Sequence, residues 1–301
     1  MSVVPVISLL VSYPQITETI GTSFKKTNPE EETLKVTSYN AGTFYYYRWE
    51  NKQDTSTSKK SIRWIAQKID SDILCIQEFY NNDALSAESS LEKIKNAGYS
   101  YYHTSPVKLS NYEGFFGLIT FSKHPIVNGG SIEFSGKKSL NRGLYSDIKI
   151  DTDTIRVINM HLESMSIRLN PDISIHKPKT ILENQKDIYK KLKKGFITRE
   201  KQINKIADFA AKSPYPIIIC CDLNDTPYSY TYKRLKKSYN NAFEQAGKGF
   251  GFTYNKFPWL IRIDHQFYSK KYFKPIGFKV YKDNKHSDHY PIESEYLIKE
   301  R

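Results

Sequence analysis

Five short polar clusters in this chain each end or follow an apolar, β-like run: SYN at Ser38–Asn40, QE at Gln77–Glu78, MHLES from Met160, CDLND from Cys221 and HSDHYPI from His286. Open α/β folds collect reactive side chains where strand ends converge on one edge of a sheet. The clusters therefore predict a sheet-based fold whose strand ends assemble a single active site.

Short β-branched runs bounded by turn residues predict strands at Thr33–Tyr39, Asp72–Gln77, Gly117–Phe121, Leu144–Ile150, Thr154–Met160, Ile217–Cys221 and Ile263–Tyr268. Helical spacing of Ile62, Ile65, Ala66 and Ile69 predicts a helix over Ser58–Ile69, and Ile203, Ile206, Ala207 and Ala210 predict another over Thr198–Ala211. Few strands alternate strictly between polar and apolar, as expected when both faces are buried in a sheet-on-sheet sandwich covered by helices. The stretch Met165–Gly195 is longer than a usual connection and reads as a partly helical insert near the site.

Taken singly, each cluster has a bland reading. Asn40 suits a turn, Glu78 a helix cap, His161 a core hydrogen bond, and Asp222 with Asn224 an Asx-turn. Their joint occurrence at strand ends is what phosphate-ester hydrolysis on a divalent metal requires. The anionic ester repels a nucleophile, so a hard cation with oxygen ligands is needed; Glu78 supplies the anionic ligand and Asn40 a neutral oxygen. A water must be oriented and deprotonated, and charge on the leaving oxygen offset, for which Asp222 and His289 are the candidates. Asp264, in IRIDHQFYS, is the carboxylate expected behind His289 to fix its tautomer.

These residues, in this order, resemble the endonuclease/exonuclease/phosphatase superfamily, from about Leu34 to Leu297. TSYNAG looks like its Asn motif, DILCIQEF its metal-binding Glu motif, and VINMHLES its first His motif. PIIICCDLNDTP resembles its Asp-x-Asn block, RIDHQFYS its Asp block and HSDHYPI its terminal Asp-His block. GLITFSKHPI looks like a structural hairpin of the family, and NRGLYSDIKI like the strand pair after it. A bacterial branch, often membrane-anchored, is the most similar in its wording. The resemblance implies an α/β (α+β) fold, a four-layer αββα sandwich of two mixed sheets flanked by helices. It also implies Glu78 as principal metal ligand with Asn40 beside it and Asp288 at the metal edge, the ion being Mg2+ or Mn2+. His161 and Asn224 would contact the scissile phosphate, Asp222 would orient or activate water, and Asp264 would pair with His289. Arg142 is a candidate for a phosphate oxygen, with an exposed surface arginine as the alternative. Cys221, Leu223 and His265 depart from the family's usual Gly, Phe and Tyr, and the Cys adds bulk where glycine leaves space.

The 301 residues contain no Pro/Gly/Ser-rich linker, so one catalytic domain over 34–301 is expected after an N-terminal apolar segment, 1–33. Three cysteines build no disulfide framework and are expected as buried thiols. A net charge of +13 favours an acidic partner, nucleic acid first and an anionic lipid or phosphoinositide second. Much of the excess sits in Lys186–Lys194 and Lys233–Lys237, and such charge runs are usually just solvated helix faces. Tyr45–Tyr47 and Trp49, just after the Asn motif, offer stacking surface or core packing. Val3–Ser12 is apolar but too short to span a bilayer and lacks a basic flank, so it is assigned neither as a transmembrane helix nor as a signal peptide. A cytoplasmic monomer is expected, with membrane contact through the N-terminus left open. The leading function is a metal-dependent phosphodiesterase, an endonuclease or exonuclease on nucleic acid. The alternatives are a phosphatase or phosphodiesterase on inositol phosphates or phospholipid headgroups, and a catalytically silent binding module.

Overall fold

The computed structural model describes residues 18–23, 32–44, 56–82, 89–109, 114–136, 139–164, 178–256 and 260–299, with residues 56 and 178–188 described by backbone alone. Val3–Ser12, Tyr45–Tyr47, Trp49 and residues 165–177 of the insert lie outside them.

Two six-stranded sheets form the centre. The first runs β13 (Phe273–Val280), β14 (Ile292–Ile298), β2 (Thr33–Asn40), β3 (Ile73–Asn81), β5 (Phe115–Ser122) and β4 (Tyr101–Val107). The second runs β10 (Asn240–Asn241), β12 (Asp264–Tyr268), β9 (Ile217–Asp222), β8 (Asp153–His161), β7 (Arg142–Ile150) and β6 (Ile126–Glu133). Each sheet is mixed, with one parallel pair at its heart, β2 with β3 and β8 with β9. A small ribbon pairs β1 (Gly21–Thr22) with β11 (Lys248–Gly249). Helices α1 (Ser56–Lys68), α2 (Ser90–Lys95), α3 (Pro178–Ala211), α4 (Tyr230–Lys236) and α5 (Ala242–Ala246) complete the described elements.

Three apolar seams define four layers. Ile62, Ile65 and Ile69 around α1 and Ile94 of α2 pack on Leu74 and Ile76 of β3, outside the first sheet. Ile203, Ile206 and Ala210 of α3, with Tyr232 and Leu235 of α4, cover Met160, Ile219 and Cys221, outside the second. Between the sheets lie Val36, Ile73, Cys75, Val157, Ile218 and Cys220. The period of two along each strand sends Cys75 and Cys220 inward and Leu74 and Cys221 outward. Every residue of β5 and of β9 is buried, as the weak alternation predicts for strands with both faces covered.

Three features depart from the sequence reading. The described part of the insert, from Pro178, is helical as read but continuous with the Thr198 helix, since α3 runs unbroken for 34 residues from Pro178, a residue suited to a first helical turn. GLITFSKHPI is not a paired hairpin: β5 pairs with β3 and β4, β6 pairs with β7, and the turn carries the chain between sheets. Edge strands β4, β6 and β13 escaped the pattern because they contain Pro106, Gly129–Gly130 or Pro275 and are partly exposed. Of the residues before 34, described Glu18 and β1 pack on the domain. Glu18 is buried against Lys233 and Lys236, and its carbonyl accepts from Arg262.

Candidate active site

The inward faces of the central strands change character along their length. Val36, Cys75, Val157 and Cys220 are apolar, and a belt of amides lies one step further along. Gln77 Nε2 donates to Ser38 Oγ (3.1 Å) and across the sandwich to Asn159 Oδ1 (2.8 Å). Asn159 Nδ2 donates back to the carbonyls of Ile119 (2.9 Å) and Ile76 (3.2 Å). Gln266 Nε2 reaches the Val36 carbonyl at 2.9 Å. Two residues beyond this belt, on the same faces, stand Asn40, His161, Asp222 and Asp264. In the second sheet Arg142, His161, Asp222 and Asp264 are cross-strand neighbours in one row over β7, β8, β9 and β12. Register alone thus aligns their side chains on one face.

Glu78 joins them through a local irregularity. The β3–β5 register shifts between Ile76 and Phe79, and Glu78 has φ of 47°, a left-handed conformation that costs energy for a residue with a Cβ. Without the bulge, alternation would turn Glu78 away from the face that Gln77 occupies. Asn224 is held similarly, at φ of 48°, with its backbone N–H donating to Asp222 Oδ1 at 2.8 Å.

The groups converge closely. Asn40 Nδ2 donates to Asp222 Oδ2 (2.9 Å) and Glu78 Oε1 (3.2 Å). His161 Nε2 lies 3.6 Å from each of those same oxygens and 3.1 Å from Asn224 Nδ2. His289 Nδ1 bonds both oxygens of Asp264, at 3.1 and 2.9 Å, and its Nε2 lies 3.8 Å from Asp222 Oδ2. Burial alone would lower the His289 pKa, but Asp264, Asp222 and, to a lesser degree, Asp288 outweigh it and push it up to about 10. Asp264 is raised by burial, an effect its imidazolium partner partly offsets. A charged His289 is therefore a hydrogen-bond donor rather than a base at neutral pH.

Two carboxylates aimed at one polar point, offset by a single amide, form an oxygen-rich donor set that fits a hard divalent cation. Glu78 is the accessible member, its side chain 32% exposed against 0% for Asp222, and its Oε2 has no hydrogen bond among the described residues. Asp222, Asp264 and His289 also carry ligand atoms within 4.8 Å of one another. Within that trio only Asp264 and His289 are hydrogen-bonded, with His289 Nε2 stopping 3.8 Å from Asp222. Both Asp264 oxygens serve His289 and an imidazolium repels a cation, so the trio is a poor metal site. Asn40 presents its nitrogen to the carboxylates, while its Oδ1 accepts the Gly42 N–H at 2.9 Å. Half-buried Asp288 sits over the Asn40–Gly42 turn, its Oδ1 3.5 Å from Ser287 Oγ. Arg142 shares the row but not the cluster's hydrogen bonds: its guanidinium donates to the Ser139 carbonyl and, at 2.9 Å, to Ser105 Oγ of the other sheet.

Several supporting groups carried no signal in the sequence reading. Ser287 Oγ donates to the Asn40 carbonyl (2.8 Å) and accepts from His289 N, pinning the last cluster to the first. Thr253 Oγ1 accepts from the N–H groups of Ile263 and Asp264. On α3, fully buried Arg199 donates to Asp225 Oδ2 (3.2 Å) and the Glu163 carbonyl (3.1 Å), and Gln202 Oε1 accepts from Glu163 N. Cys221 does not crowd the site; it faces α3 and α4 in the outer core.

Residues 196–289 match the model of the Endonuclease/Exonuclease/phosphatase family. No curated protein matches the chain. Among solved structures, the human Nocturnin catalytic domain with bound sulfate superposes with a TM-score of 0.60 at 14% identity, over 89% of this chain and 95% of that one. Truncated Caenorhabditis elegans TDP2 gives 0.59 at 18%, over 88% and 98%. Beta toxin 275-280 from Staphylococcus aureus gives 0.59 at 19%, over 87% and 99%.

Proposed function

Because the chain has the fold of the endonuclease/exonuclease/phosphatase superfamily and matches its model over residues 196–289, we propose that it is a divalent-metal-dependent phosphodiesterase. The observation that carries this reading is the meeting of Asn40, Glu78, His161, Asp222, Asn224 and the Asp264–His289 pair at one end of the sandwich. Glu78 is the principal metal ligand in this account, with Asp288 at the edge. Asn40, expected to add a neutral oxygen, instead holds the Glu78 and Asp222 carboxylates through its Nδ2 while its Oδ1 accepts the Gly42 N–H. A bound cation, Mg2+ or Mn2+, supplies positive charge against the phosphate oxygens.

The chain's own groups do the rest. Asp222, fixed by Asn40 and the Asn224 N–H, orients a water and takes its proton. His161 and the Asn224 amide, 3.1 Å apart, hold a phosphoryl oxygen. His289, kept charged by Asp264, donates a hydrogen bond where negative charge develops. The net charge of +13 favours a polyanionic substrate, nucleic acid first. A phospholipid headgroup is the second reading, favoured by the exposed Tyr189, Phe196 and Ile197 among the lysines of α3.

A hydrolysis panel over DNA, abasic DNA, RNA, phosphoinositides and sphingomyelin tests this directly. Turnover of at least one class is expected, abolished by chelator and restored by Mg2+ or Mn2+. Turnover that survives chelation contradicts the metal role, and an inert panel contradicts the phosphodiesterase.

A further inference from the structure

We propose that the exposed stretch Tyr189–Lys201 of α3 is a docking face for an anionic phospholipid surface. This rests on the helix surface and not on the catalytic reading. Lys190, Lys191, Lys193, Lys194 and Lys201 are exposed, and Glu200 is the sole exposed acid in the stretch. Interleaved with them are three large apolar side chains open to solvent: Tyr189 at 66%, Phe196 at 50% and Ile197 at 45%. At 3.6 residues per turn, Tyr189, Lys193, Phe196, Ile197 and the one acid, Glu200, fall on one side of the helix, with Lys190, Lys194 and Lys201 along its flank. Lys190, Lys193, Lys194, Ile197 and Thr198 line a shallow, open hollow of about 310 Å³ on the helix surface. Ammonium heads beside apolar side chains match a phosphate headgroup above acyl chains.

The pattern discriminates between anionic partners. A nucleic acid rewards the lysines but gains little from an aliphatic side chain, and a purely solvated face has no use for Ile197; Phe196, whose ring lies 5.1 Å from the Arg199 guanidinium, is still half exposed. A lipid surface rewards both, with the basic residues drawn to the headgroups and the apolar ones entering below them. The face also adjoins the candidate site. Arg199, within one turn of Phe196 and Ile197, bonds the carbonyl of Glu163, two residues beyond His161. Docking would therefore set the cluster beside the membrane plane. No helix among the described residues is long and apolar enough to cross a bilayer.

The test is co-sedimentation of the full chain with vesicles of phosphatidylcholine alone or containing roughly one third phosphatidylglycerol. Pelleting with the anionic vesicles only, weakening as salt rises, is the expected result. Alanine at Lys190, Lys191, Lys193 and Lys194 together, and separately the pair Phe196→Ser and Ile197→Ser, should each lower partitioning by about tenfold or more. These residues are exposed, and unchanged circular dichroism melting confirms that the variants fold. The proposal is overturned if the unmodified chain stays in the supernatant with anionic vesicles, or if both variant sets pellet as it does. It is also overturned if the lysine set matters only for binding a DNA duplex.

Discussion

At the scale of single residues, the site is a balance between Glu78, left accessible, and Asp222 and Asp264, buried behind partners. Glu78→Gln keeps the shape and the Asn40 contact but removes the accessible charge, so Mg2+ or Mn2+ affinity should fall at least about tenfold by calorimetry. Equal binding by the variant would remove Glu78 as principal ligand. Two histidines make opposite demands on pH. His265 is fully buried and its pKa is driven well below 6.5, first by burial and then by Arg262. Its contribution to stability is whole above about pH 6.5 and is lost as pH falls, because the unfolded chain takes up a proton that the fold refuses. His289, raised to about 10, contributes stability that is whole below about pH 6.5 and is lost as pH climbs toward 10. In urea melts of chelator-treated protein, His265→Phe should flatten the acid limb by up to about 1.4 kcal/mol per pH unit and leave the alkaline limb alone. An unchanged acid limb would show that His265 does not titrate in this way. The residue types of the site were legible in the sequence because each motif keeps its polar group after an apolar run. The orientation of the Asn40 amide and the removal of Arg142 to Ser105 were not, because both depend on partners distant in the chain.

At the scale of elements, strand parity does most of the positioning, and the amide belt fixes how the sheets meet. Asn159 is fully buried and serves Gln77, Ile76 and Ile119 at once. Asn159→Leu leaves one Gln77 N–H unpartnered and removes a donor from two interior carbonyls, so it should cost about 2–3 kcal/mol in denaturant unfolding. A loss within about 0.5 kcal/mol would mean that the belt is incidental. Strands with a steady β-branched run were predictable, since β2, β8 and β9 each begin within a residue of their sequence estimate. The bulge at Gln77–Glu78 was invisible because QE carries no turn residue to betray it; the strain is imposed by β5 and the site together. Unbroken α3 was missed because its apolar periodicity begins only where it meets the second sheet, while its first half is read by composition as an insert.

At the scale of the whole molecule, the two sheets bring together one end of each central parallel pair, and the clusters meet there although they are spread from Asn40 to His289. The chain order of the clusters and the doubly buried strands made the sandwich legible. The choice of substrate was not, because it belongs to loops and surfaces on a widely shared frame. The central claim is that His289 and Asp264 act as one unit on the developing charge. It is tested most directly by turnover, on whichever phosphodiester the panel identifies, of His289→Ala, Asp264→Asn and the double variant. The account predicts a fall of about a hundredfold or more for His289→Ala with little change in substrate affinity, and a double variant scarcely slower than that single one. Normal turnover of His289→Ala, or fully additive losses in the double variant, would contradict it.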